Sequence, residues 1–165
     1  MAFTGTLADI NTHLDGLTFL STLNYNGSAT ITLITNDQGN TGGDGTPELA
    51  TSTITLSIQP VNDAPSFTAG PNQTVNEDSG AYTVDNWAAG ISPGPADEAT
   101  QSLAFVVTNN NNALFTGQPG VTAAGMLYYE PAPNAFGSAT VQITLVDDGG
   151  TANGGQQASA PQYMV

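Results

Sequence analysis

From residue 28 to residue 35, small or polar residues alternate with Ala29, Ile31 and Leu33. Residues 51–58 repeat the pattern through Ile54, Leu56 and Ile58. A period of two is that of a strand with one buried face. Further strands are predicted at 67–69, 73–75, 82–87, 103–108, 126–129, 139–146 and 161–165. Clusters such as Ser92-Pro93-Gly94-Pro95 and Pro131-Ala132-Pro133 separate them. Only Leu7–Leu14 has helical spacing: Leu7, Ile10 and Leu14 share a face, Thr6 is placed to cap, and Asp9 lies in the first turn. The pattern predicts an all-β chain with one short helix near its start.

The strands recur. Asn24, Gly27, Ser28, Ala29, Thr30, Asp37 and Gly39 reappear as Asn134, Gly137, Ser138, Ala139, Thr140, Asp147 and Gly149, at a constant offset of 110 positions. Leu17-Thr18-Phe19 meets Leu127-Tyr128-Tyr129 at the same offset. That period suits one β-sandwich domain and is too long for a solenoid repeat. Residues 61–165 are then a nearly complete repeat, and residues 1–60 the C-terminal half of another. The predicted architecture is a tandem of immunoglobulin-like Greek-key β-sandwiches, the first truncated. A half sandwich leaves an apolar face and a strand edge uncovered, so it is expected to be completed by another copy of the chain. Tyr163-Met164-Val165 is a candidate donor strand.

Composition removes whole classes of function. The 165 residues include no Lys, Arg or Cys and fourteen acids, for a formal charge of −14. Nucleic-acid binding needs cations against phosphates, and a basic patch on anionic lipid fails for the same reason. Disulfides, thiolate metal sites and lysine isopeptide crosslinks are impossible. No apolar run approaches the roughly 18 residues of a membrane span, so no membrane insertion is expected. An acid-rich chain without cysteine fits a secreted bacterial protein.

Pro60-Val61-Asn62-Asp63-Ala64-Pro65-Ser66-Phe67 resembles the cadherin inter-repeat linker. With residues 3–11, 25–30, 35–42, 74–78 and 134–140, the chain is similar to the tandem cadherin-like or Ig-like repeats of large bacterial surface adhesins of the RTX type, exported by type I secretion. The resemblance implies an extracellular, cell-surface spacer with structural and adhesive roles, stiffened by calcium, and not an enzyme. Its partners would be neighbouring repeats, other copies of the chain, or a cell-surface or glycan receptor. The end of the second unit departs from the pattern, lacking the long Thr-Val strand and a following linker. A self-assembling filament subunit and a carbohydrate-binding module are the alternatives.

Calcium takes six to eight oxygens, which carboxylates, Asn amides and turn carbonyls supply. Sandwich topology brings three segments of the second unit to one end: Asn62 and Asp63, Asp97 and Glu98, Asp147 and Asp148. Glu77 and Asp78, with Glu130, are expected at the opposite end, facing a further repeat. In the first unit Asp37 and Asp44 hold the corresponding loop, beside Asn36 and Asn40. The plainer reading is that such residues serve their own turns. His13 reads as a half-exposed filler, and Trp87, Tyr82, Phe105, Phe115 and Phe136 as core, or as an aromatic platform for sugars.

Overall fold

The computed structural model describes residues 1–40, 43 and 45–165. The chain divides into two compact units, Met1–Pro60 and Val61–Val165. The first unit opens with helix α1 (Leu7–Leu14), closed by a reciprocal cap: Asp9 N donates to Thr6 Oγ1 (3.3 Å) and Thr6 N to Asp9 Oδ2 (3.0 Å). The Thr6 hydrogen bonds hold the Asp9 carboxyl below its ordinary value. His13 is exposed rather than half-buried and stacks on Phe3. Strands β1 (Gly27–Asn36) and β2 (Leu49–Ile58) form an antiparallel two-stranded sheet. Ala29, Ile31, Leu33 and Leu56 are half-buried, and Ile54 remains 47% exposed.

The second unit contains β3 (Ser66–Thr68), β4 (Tyr82–Val84), β5 (Ala89–Ser92), β6 (Ala104–Asn109), β7 (Phe115–Val121), β8 (Leu127–Pro131), β9 (Val141–Val146) and β10 (Gln162–Met164). They pair as β10-β9-β6, β4-β8-β7 and β3-β5, all antiparallel. In β9, Val141, Ile143 and Leu145 alternate with more exposed Gln142, Thr144 and Val146, which sends one face inward. These three side chains meet Phe67, Trp87, Val121, Leu127, Tyr129 and Met164 in a single core fed by every sheet of the unit. The protein is therefore mostly β-strand in several small sheets, with one short helix. Among the described residues, no helix is long and apolar enough to cross a membrane.

Several elements differ from the sequence pattern. The strand expected over 82–87 stops at Val84, because the chain turns at Asn86 (φ 53°) before resuming as β5. β5 was not expected, since Ala89-Gly90 reads as a turn. Nor was β7, whose Gly117, Pro119 and Gly120 ride on a ladder with two register shifts. Residues 73–75 carry no assigned strand, although Gln73 N donates to Val165 O (3.0 Å). Phe136 is 88% exposed rather than in the core. Tyr82, Phe105 and Phe115 are partly buried against it.

Tyr129 lies in that core with its hydroxyl buried and unpartnered. Burial first, and Tyr82 second, raise the phenol above its ordinary 10.0. The folded state thus favours the neutral phenol. Its contribution is complete below pH 10.0, the unfolded value, and is lost as pH rises through the higher folded value. Urea melts above that pH are expected to show the wild type losing stability faster than Tyr129→Phe.

The repeat extends to hydrogen-bond register. In the first unit Leu33, Thr32 and Ile31 face Ser52, Thr53 and Ile54. In the second, Ile143, Gln142 and Val141 face Gln162, Tyr163 and Met164. Each pair maps on the other at the offset of 110. The approach to each strand also matches: Asn24 (φ 58°) and Asn134 (56°) are left-handed, and Gly27 (116°) and Gly137 (134°) take conformations that penalise a Cβ. At these recurring positions the backbone itself favours Asn and Gly.

Candidate cation-binding site at one end of the second unit

The start of the second unit is tied down by two consecutive residues. Asn62 Nδ2 donates to Asp147 Oδ1 (2.9 Å) and to Gln156 O (2.8 Å), and Asn62 Oδ1 accepts from Gln101 Nε2 (2.7 Å). Gln156 N closes the ring on Asn62 O (2.8 Å). Asp63 N donates to Glu98 Oε1 (2.8 Å). Glu98 sits there because Pro95 opens a 3₁₀ turn over Ala96–Glu98, which points Glu98 inward and leaves Asp97 exposed. Asp147 follows β9 directly and continues its inward alternation, while Asp148 turns outward and accepts from Ser102 N (2.9 Å).

Two carboxylates are consequently buried, Glu98 at 6% and Asp147 at 8% exposure. Each has one oxygen satisfied: Glu98 Oε1 by Asp63 N, and Asp147 Oδ1 by Asn62 and by Gly149 N (3.0 Å). The other oxygens, Glu98 Oε2 and Asp147 Oδ2, are buried without a partner, as is Gln101 Oε1. Buried oxygens in that condition cost on the order of 1–3 kcal/mol each, and more when charged. Packing is tight around them. A Cβ on Gly94 would collide with Glu98 Oε2, and one on Gly149 with Asn62 Oδ1.

No family model, curated protein or solved structure matches the chain.

Of the residues predicted from sequence, Asn62, Asp63, Glu98, Asp147 and Asp148 are drawn together by the bonds above. Asn62 is committed on both its amide atoms, so its part is to fix the start of the unit. Asp63 and Asp97 have exposed side chains nearby in sequence. Among the described residues no group of three or more acidic or His side chains converges closely enough to hold an ion. Glu77 and Asp78 are exposed elsewhere, and Asp78 Oδ1 accepts from Asn134 N (2.9 Å), a turn-to-turn tie. In the first unit Asp37 Oδ1 accepts from Gly39 N (3.0 Å) and Glu48 N (2.7 Å); Asp44 lies outside the described residues. Sequence reasoning missed Gln101 and Gln156, whose amides complete the network. Only folding brings them to Asn62, and nothing in their local spacing signals it.

Proposed function

We propose that the chain is an extracellular spacer segment with structural and adhesive roles, built from Greek-key cadherin-like or immunoglobulin-like sandwiches and stiffened by calcium where one repeat meets the next. What supports the architectural part is that three small antiparallel sheets, β3-β5, β4-β8-β7 and β10-β9-β6, enclose one shared core, as the strands of a sandwich do. One observation carries the functional part. Glu98 and Asp147 grip the linker residues 63 and 62 with one oxygen each, and keep a second oxygen buried and unpaired.

Hard, partly desolvated oxygens of this kind fit calcium. Glu98 and Asp147 would supply the first oxygens, and the exposed Asp63, Asp97 and Asp148, which do not converge on them in this structure, would swing in to complete the set when calcium binds. The bound ion supplies positive charge to a chain that has no Lys or Arg. Its mechanical effect follows: an ion shared by linker and loops removes bending freedom at the start of the unit. Extracellular modules bind calcium with dissociation constants on the order of 10⁻⁴–10⁻³ M, so the segment stiffens outside the cell and relaxes in calcium-poor cytosol.

The expected result of a calorimetric titration on chelator-treated protein is saturable calcium binding in that range. Small-angle scattering should broaden its distance distribution when calcium is withdrawn. No heat and an unchanged distribution would remove the ion from the mechanism.

A further inference from the structure

Among the described residues four buried side-chain polar atoms have no hydrogen-bond partner, and three of them are oxygens of one network: Glu98 Oε2, Asp147 Oδ2 and Gln101 Oε1. Each belongs to a side chain bonded directly to the Asn62 amide or to Asp63 N. The third is an amide oxygen, outside the acidic set that the sequence suggests. Its direction is fixed by a chain of bonds. Asn62 Nδ2 must face two acceptors, Asp147 Oδ1 (2.9 Å) and Gln156 O (2.8 Å), so Asn62 Oδ1 is left to face Gln101. Gln101 therefore presents Nε2 to Asn62 (2.7 Å), and its Oε1 points away from that bond. The Gln101 backbone is held as well, since its N donates to Glu98 O (2.9 Å). Gly149 leaves the room that the amide needs, for a Cβ there would collide with Gln101 Nε2.

The chemistry of these three oxygens is one-sided, because all of them are acceptors. A water molecule brings two protons and adds lone pairs of its own, whereas a cation adds none. The chain has no Lys or Arg to supply that charge from within. Resting on the calcium reading of this site, we propose that Gln101 is a further ligand of the ion: its Oε1 supplies a neutral oxygen beside Glu98 and Asp147, while its Nε2 ties the ion to Asn62. Calcium accepts side-chain amide oxygens alongside carboxylates. The neutral amide also limits the buried charge. Two buried carboxylates are cancelled by one divalent ion, and a carboxylate at position 101 would add a charge that the ion-free unit must bear. Gln101 further gives the ion a mechanical route to the linker. Its amide is planar and rigid, so an ion that fixes Oε1 also fixes Nε2, and with it Asn62 at the start of the unit.

The test uses the full chain, titrated calorimetrically with calcium and then loaded with terbium, whose luminescence lifetimes in light and heavy water count the waters on the ion. Trp87 fluorescence, which reports the core of the second unit, checks that each variant is folded. Gln101→Met keeps the length of the side chain and removes both amide atoms. It is expected to weaken calcium about tenfold and to add a bound water where Oε1 stood. Gln101→Glu keeps an oxygen and also loses the donor to Asn62. It should bind calcium at least as tightly as the wild type, with the hydration of the ion unchanged. Weaker binding by folded Gln101→Glu means that the residue only holds Asn62, and overturns the ligand whatever Gln101→Met does. Unchanged affinity and hydration in Gln101→Met overturn it too, and leave calcium at Glu98 and Asp147 standing. A wild type that binds no calcium overturns the reading of the site and Gln101 as its ligand together.

Discussion

Glu98→Gln combined with Asp147→Asn is expected to abolish the calcium response of the melting temperature and, in chelator, to raise that temperature above the wild type. The two effects have opposite signs for one reason. Without an ion, each carboxylate holds a buried charge with one oxygen unpaired, and the amide removes the cost of that charge while leaving a neutral polar group in its place. With the ion, the same oxygens provide binding energy available only to the folded state. At about 100 times the dissociation constant that linkage amounts to roughly 2.7 kcal/mol, worth on the order of 10 °C for a unit of this size. Calorimetric scans of both proteins, in chelator and in millimolar calcium, should therefore cross. A double variant that keeps the wild-type calcium shift would put the ion at other residues.

The second large effect compares two residues at equivalent places in the repeat. Ile143 in β9 is fully buried, and its counterpart Leu33 in β1 is half-buried on a sheet of two strands. Ile143→Ala should cost about 3–4 kcal/mol, since it opens a cavity in a core closed on all sides. Leu33→Ala should cost well under about 1 kcal/mol, because less apolar area leaves water and no closed cavity forms. Denaturant melts followed by Trp87 fluorescence report the second unit and should show the first loss as an earlier midpoint at unchanged slope. Equal costs would mean that the face of β1 is covered in solution.

What the sequence disclosed follows from how local each signal is. Helix α1 was legible to the residue because Thr6 and Asp9 form a cap within one turn. β1, β2, β6 and β9 were legible because long period-two alternation needs no knowledge of a partner. β5 and β7 were not: their Gly and Pro content mimics turns, and only the neighbouring strands β3 and β8 hold them extended. Phe136 looked like core by type alone, yet it sits on a loop with no sheet above it. At the candidate site the segments were legible and the side-chain roles were not. Which of two adjacent acids turns inward was decided by the 3₁₀ turn at Ala96–Glu98 and by the phase of β9, neither visible in composition.

The common register of the two hairpins reaches beyond the folded chain to its gene. Residues 24–37 and 134–147 share sequence, the left-handed entry at Asn24 and Asn134, and the ladder that follows. A crossover between the DNA for these two stretches would join one hairpin's first strand to the other's second with every pair still in phase. The product would be longer or shorter by one whole repeat and would contain no mismatched ladder. Copy number in such a chain can drift over generations while each hairpin stays foldable, so length becomes a heritable variable separable from fold.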